Sequence, residues 1–259
     1  MAVIEANGET LAYVDEGAGP EVLFIHSLGT NGSLWRDQIA VLKEHYRCIA
    51  FDCRGHGGSS YNAKFTVTDV AADLKAGLDA LGIGSCHVVG LSMGGPLALQ
   101  LNADNPGLVR SMVLADAFAT PREGADDRVY ATQEAVAYLS MLEFGNQYAG
   151  DRLLPSTPIE KLEELANEIA KVPAKAYVDT VRDIFTYDVS PTLAKVDVPT
   201  LVLIGDQDEA TPMADSEFIC SSIEGAELKV IPDAGHLTTI DNPDAVTRAL
   251  TEFLGAQPR

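Results

Sequence analysis

The chain has 259 residues, 46% of them hydrophobic, which is enough to bury a large core as one domain. Against 18 lysines and arginines stand 38 acidic side chains, a formal charge of −20. That field repels nucleic acid and anionic membrane surfaces and favours solubility, so both are excluded as partners.

In chain order, the opening "AVIEANGETLAYVDEG" places Asn7-Gly8 between two alternating segments, the signature of a β-hairpin. It lacks a basic start followed by an apolar block, so no signal peptide is expected. No apolar run approaches the ~20 residues needed to cross a bilayer. A soluble, cytoplasmic protein is the expectation. Six short apolar runs follow: "EVLFIH" (21–26), "YRCIAFD" (46–52), "SCHVVG" (85–90), "VRSMVLAD" (109–116), "PTLVLIG" (199–205) and "AELKVIPD" (226–233). Such runs predict strands covered on both faces of a parallel sheet. Helical patterns alternate with them. "TDVAADLKAGLDALG" sets Val70, Leu74, Leu78 and Leu81 on one face, and "DNPDAVTRALTEFLG" does so with Val246, Leu250 and Phe253, ending on a capping Gly255. Strand–helix alternation predicts one doubly wound α/β domain after an antiparallel start.

The alternation breaks between Phe118 and Pro191, where only helical patterns occur: "TQEAVAYLSMLEFGNQY", "PIEKLEELANEIAKV" and "PAKAYVDTVRDIFTYDV". The expectation is a core of residues 1–117 and 192–259, with 118–191 inserted as a helical lid. The four cysteines (Cys48, Cys53, Cys86, Cys220) show no C-x-x-C spacing and are expected to be free thiols.

Chemistry in open α/β sheets gathers outside the carboxyl ends of strands. There "HVVGLSMGGPLAL" (87–99) carries Gly90-Leu91-Ser92-Met93-Gly94, a G-x-S-x-G pattern at a strand-to-helix turn. Aspartates in "IGDQDEATP" and a histidine in "DAGHLTTIDNP" follow it, the order Ser…Asp…His.

These motifs resemble the α/β-hydrolase family over essentially the whole chain, and within it the 3-oxoadipate enol-lactonase branch. The resemblance is carried by "SLGT" (27–30) with Trp35 nearby, "RGHG" (54–57), "GLSMGG" (90–95) and "ATP" (210–212). It implies a mostly parallel eight-stranded sheet with helices on both faces and an inserted helical lid. It also implies Ser92 as nucleophile, His236 as base and Asp208 as the orienting acid, with the N–H groups of Leu28 and Met93 as the oxyanion hole. His26, Ser27, Trp35, Phe118, Leu139 and Leu237 are the candidate pocket residues. Asp206 and Asp116 are rival acids. Among the other histidines, His26 is expected to brace its loop, His45 to end a helix, His56 to shape a turn and His87 to pack in a strand.

The implied activity is hydrolysis of a small ester or lactone through an acyl-enzyme, without metal or organic cofactor and with a homo-oligomer possible. A carbon–carbon bond hydrolase, another lactonase, a perhydrolase or a slow-turnover receptor would use the same residues. Two departures from the enol-lactonase pattern stand out: His26 opens the oxyanion motif, and the lid has no tryptophan. The lid offers Arg122, Arg128, Arg152 and Arg182 as cations for an anionic substrate.

Overall fold

The computed structural model describes residues 2–257. Asn7 and Gly8 both adopt left-handed conformations (φ 51° and 79°), closing the hairpin between β1 (Ala2–Ala6) and β2 (Glu9–Glu16). The apolar runs become β3 (Glu21–Ile25), β4 (Arg47–Phe51), β5 (Cys86–Leu91), β6 (Val109–Ala115), β7 (Thr200–Gly205) and β8 (Glu227–Ile231). They form one eight-stranded sheet in the order β1-β2-β4-β3-β5-β6-β7-β8. β2 pairs antiparallel with β4, and every pair from β4 to β8 is parallel.

The central strands are uninterrupted apolar stretches because helices cover both faces, leaving no solvent side for a polar residue. Val22–Ile25, Ile49–Phe51 and Val88–Val89 are fully buried. β8 departs from this expectation. Glu227, Lys229 and Val230 are exposed, because this strand is the sheet's edge, where charges block further pairing.

Ten helices are described: α1 (Arg36–Leu42), α2 (Val67–Ala80), α3 (Gly94–Asp104), α4 (Ala125–Tyr138), α5 (Met141–Arg152), α6 (Ile159–Ile169), α7 (Ala174–Thr186), α8 (Met213–Ser222), α9 (Thr238–Asp241) and α10 (Pro243–Gly255). Two details correct the sequence reading. The single helical run over 132–148 is two helices, because Leu139 turns extended and Ser140 caps α5 in a reciprocal box with Glu143. Gly255 lies within α10, and the helix closes on Ala256 with an ordinary right-handed φ of −84°.

The "RGHG" turn is structural. Arg54 makes two 2.5 Å bonds to the buried Asp73, and Asp52 accepts from the N–H groups of Gly32 and Gly58, both at 2.8 Å. His56 is buried beside it, and His87 contacts Ser111 Oγ at 2.8 Å between strands. Burial lowers these histidines to about 3 and about 4 respectively, so both are neutral near pH 7. All four cysteines are free.

Candidate active site

Ser92 sits between the end of β5 and the start of α3 with a left-handed φ of 54°, an uncommon conformation for a residue with a side chain. The turn is held by its own backbone: Ser92 N–H donates to Ala115 O (2.8 Å) and Gly95 N–H donates to Ser92 O (2.9 Å). Glycine is obligatory around it because other backbone lies too close. A Cβ on Gly90 would strike the carbonyl of Gly94, one on Gly94 the carbonyl of Ile25, and one on Gly95 would lie 2.5 Å from the Ala117 Cβ. Neither carbonyl can swing aside as a flexible side chain would. Gly94→Ala is therefore expected to cost about 1–3 kcal/mol of stability, read as a lowered urea midpoint at unchanged m-value. An unchanged midpoint would mean that β3 yields.

Three strand ends bring the polar groups together. Ser92 Oγ is 2.9 Å from His236 Nε2, and His236 Nδ1 is 3.0 Å from Asp208 Oδ2. A carboxylate can only accept, so Nδ1 carries the proton and Nε2 offers its lone pair to the serine hydroxyl. Asp208's side chain is fully buried. Burial would raise its pKa, but the bond and charge of His236 and the donors of Thr211 outweigh this and hold it below the usual carboxylate range. Those donors are the Thr211 N–H (3.0 Å, to Oδ1) and the Thr211 hydroxyl (2.5 Å, to Oδ2), joined by the Ala210 N–H at 2.8 Å. The loop carrying His236 is tied down by Asp241, which accepts from Gly235 N–H (2.8 Å) and the Thr157 hydroxyl (2.5 Å). His236 N–H itself donates to Arg152 O at 3.2 Å.

The two rival aspartates are engaged elsewhere. Asp206 is exposed and accepts from Ala234 N–H at 3.1 Å, as a loop residue would. Asp116 is fully buried behind the site; its oxygens accept from Gly205 N–H (2.9 Å) and the Thr238 hydroxyl (2.6 Å). Burial and then the charge of Asp208 push its pKa well above the ordinary range.

Ser92 and His236 open on a cleft that reaches the solvent. Leu28 and Met93 line it, as do Phe118, Tyr148, Ile184 and Phe185. Five of the predicted pocket residues lie outside its walls. Trp35 is fully buried against Phe24 (ring centroids 5.3 Å), and Leu237, next to His236 in the chain, is fully buried. Leu139 occupies the break between α4 and α5. Ser27 and His26 are fully buried and build the loop instead. His26 Nε2 accepts the Cys53 N–H (2.9 Å), which leaves its Nδ1–H to donate to Ser27 O (2.8 Å). Burial lowers His26 to about 4, so this neutral tautomer persists near pH 7. The loop that presents Leu28 is thereby clamped from behind.

Tyr148, Ile184, Phe185 and Thr211 were not anticipated as site residues. Only Thr211 carried a signal, its place in the "ATP" motif.

The chain matches the model of the alpha/beta hydrolase family over residues 22–249. It is 30% identical over 265 residues to 3-oxoadipate enol-lactonase 1 of Acinetobacter baylyi, covering 98% of this chain and 96% of that protein. It is also 30% identical to 3-oxoadipate enol-lactonase 2 of the same organism, over 236 residues and 89% and 87% of the two chains. The crystal structure of the enol-lactonase from Burkholderia xenovorans superposes with a TM-score of 0.92 at 24% identity, covering 98% of this chain and 100% of that one, which shows the shared fold. With the sheet, the strained serine turn and the match over most of its length, the chain belongs to the alpha/beta hydrolase family and is a hydrolase.

Proposed function

We propose that this chain is a serine hydrolase that cleaves a small ester or lactone through an acyl-enzyme. The observation that carries this reading is the unbroken hydrogen-bonded line from Ser92 through His236, both lining the cleft, to the buried carboxylate of Asp208. A serine hydroxyl is a weak nucleophile near pH 7 and needs a base within hydrogen-bond reach. In the proposed reaction His236 Nε2 takes the hydroxyl proton as Ser92 Oγ attacks the carbonyl carbon. Asp208 holds the ring's orientation and stabilises the imidazolium. The backbone N–H groups of Leu28 and Met93 receive the oxyanion, where each donor is worth about 10²–10³ in rate. Collapse breaks the bond to the leaving oxygen, which takes the proton from His236. Water, deprotonated by the same ring, then attacks the Ser92 ester and releases the acid.

Similarity to the two Acinetobacter enol-lactonases favours a lactone. An enol is a good leaving group because it relaxes to a ketone. Helices α4 to α7 would act as the lid that selects substrate size. The reading is tested by hydrolysing esters of one acyl group with different leaving groups, alongside five- and six-membered lactones, in the presence of hydroxylamine. The expected result is acid release with a hydroxamate-to-acid ratio that is constant across leaving groups, since all pass through one acyl-enzyme. A ratio that follows the leaving group would overturn it.

A further inference from the structure

We propose that His26 and Thr30 are positioning residues: together they lock the peptide plane between Ser27 and Leu28, so that the Leu28 N–H faces the carbonyl attacked at Ser92. This rests on the serine-hydrolase reading above and names the side chains on which one of its two oxyanion donors depends.

The two donors are held by different means. The Met93 N–H rides on the serine turn, which the main-chain bonds of Ser92 and Gly95 fix in place. Leu28 lies in the loop after β3, outside any strand or helix. Neither N–H has an acceptor among the described residues, although both residues are buried and line the cleft. A buried N–H without a partner is rare, and a donor kept free for a developing charge accounts for it.

In a trans peptide the C=O and the N–H point in opposite directions, and no peptide among the described residues is cis. Whatever holds the Ser27 carbonyl therefore aims the Leu28 N–H. Three donors hold it: His26 Nδ1–H at 2.8 Å, the Thr30 hydroxyl at 2.8 Å and the Thr30 N–H at 3.2 Å. A carbonyl oxygen has two lone pairs, so both are engaged and the plane cannot swing without breaking bonds. His26, Ser27 and Thr30 are all buried, which leaves solvent poorly placed to replace a lost bond. His26 is a donor here because its other nitrogen is an acceptor, Nε2 taking the Cys53 N–H at 2.9 Å just beyond β4. The plane is thus referenced to the end of the neighbouring strand.

The following peptide is fixed as well. The bond from Thr30 N–H to Ser27 O closes a β-turn, and Gly29 in its third place has φ 76°, the value a type II turn asks there. The Leu28 carbonyl accepts from the Tyr148 hydroxyl of α5 at 3.3 Å. His26 and Thr30 are not among the residues lining the cleft, so their effect passes through Leu28. That separation decides which kinetic constant moves. A misaimed donor costs most in the transition state, where the substrate oxygen bears charge, and little in the ground state.

The test uses 4-nitrophenyl butyrate as substrate and butaneboronic acid, which becomes tetrahedral on a serine oxygen, as transition-state mimic. Thr30→Val keeps the shape and the N–H and removes only the hydroxyl. It is expected to lower kcat roughly tenfold with KM changed less than about twofold, part of the ~10²–10³ that a whole donor is worth. Its Ki for the boronic acid should rise by the same factor as kcat falls. Thr30→Ser, which keeps the hydroxyl, should stay close to wild type. His26→Leu also strips the Cys53 N–H of its acceptor; its loss of kcat supports the proposal where boronate affinity falls in step and counts against it where affinity holds. Wild-type kcat and boronate affinity in Thr30→Val would overturn the proposal, as would a loss confined to KM or one that Thr30→Ser shares. A crystal structure of Thr30→Val/His26→Leu gives a readout without turnover. The Leu28 N–H should point away from its wild-type direction, and an unmoved plane would also overturn the assignment. If Ser92→Ala cleaves esters like wild type, the serine-hydrolase reading falls and that structure alone decides whether the two side chains set the plane. If Ser92→Ala is inactive and Thr30→Val is unimpaired, the reading stands and the positioning role falls.

Discussion

Ser92→Ala is expected to lower kcat for 4-nitrophenyl esters by about 10⁴- to 10⁶-fold, because in the proposed mechanism the serine and histidine act as one unit and removing either removes covalent catalysis altogether. The residual rate would come from binding and the oxyanion donors, which the substitution leaves in place. The change should barely disturb the fold, since the Ser92 side chain touches only His236 by hydrogen bond and the turn is held by main-chain bonds to Ala115 and Gly95. Ser92→Gly sharpens the point. Glycine adopts φ 54° without steric cost, so this variant should be equally inactive yet melt higher than wild type. A Ser92→Ala enzyme within tenfold of wild type would end the serine mechanism. A Ser92→Gly protein of lower Tm would mean that the turn carries no strain.

Asp208→Asn should reduce kcat by roughly 10³- to 10⁴-fold, since an amide presents the wrong group to Nδ1–H and no longer stabilises the imidazolium. Asp116→Asn should affect kcat far less. Asp116 accepts from Gly205 and Thr238 and makes no bond to His236, and burial beside Asp208 favours its neutral form. Its loss should appear mainly in stability, where an amide nitrogen would face one of two buried donors. Steady-state kinetics and thermal melts of both variants decide the matter. An inactive Asp116→Asn beside an active Asp208→Asn would transfer the acid's role to Asp116.

The strands were readable because a sheet covered on both faces demands unbroken apolar runs, and "TLVLIG" or "CHVVGL" permits no other placement. The serine turn was readable because its glycines are imposed by backbone carbonyls at fixed places. The walls of the cleft were not. Periodicity shows that α7 has a buried face but not that Ile184 and Phe185 look toward Ser92, because aim depends on how the helix docks. Trp35 misled for a related reason: a large aromatic near the oxyanion motif packs equally well inward, and here it fills space beside Phe24. The break at Leu139-Ser140 did carry a signal, Ser140 followed by Glu143, masked by the continuous helical pattern on either side.

The sheet's edge has a consequence for how this enzyme would fail. Ser92, the proposed nucleophile, hangs from β5, enclosed by strands on both sides, whereas His236, the proposed base, sits five residues beyond β8, which has a neighbour on one side only. Edge strands open before central ones. Warming should therefore detach the imidazole from the hydroxyl while the interior remains intact. Catalysis would report on the periphery and spectroscopic melting on the centre, with inactivation running ahead of unfolding.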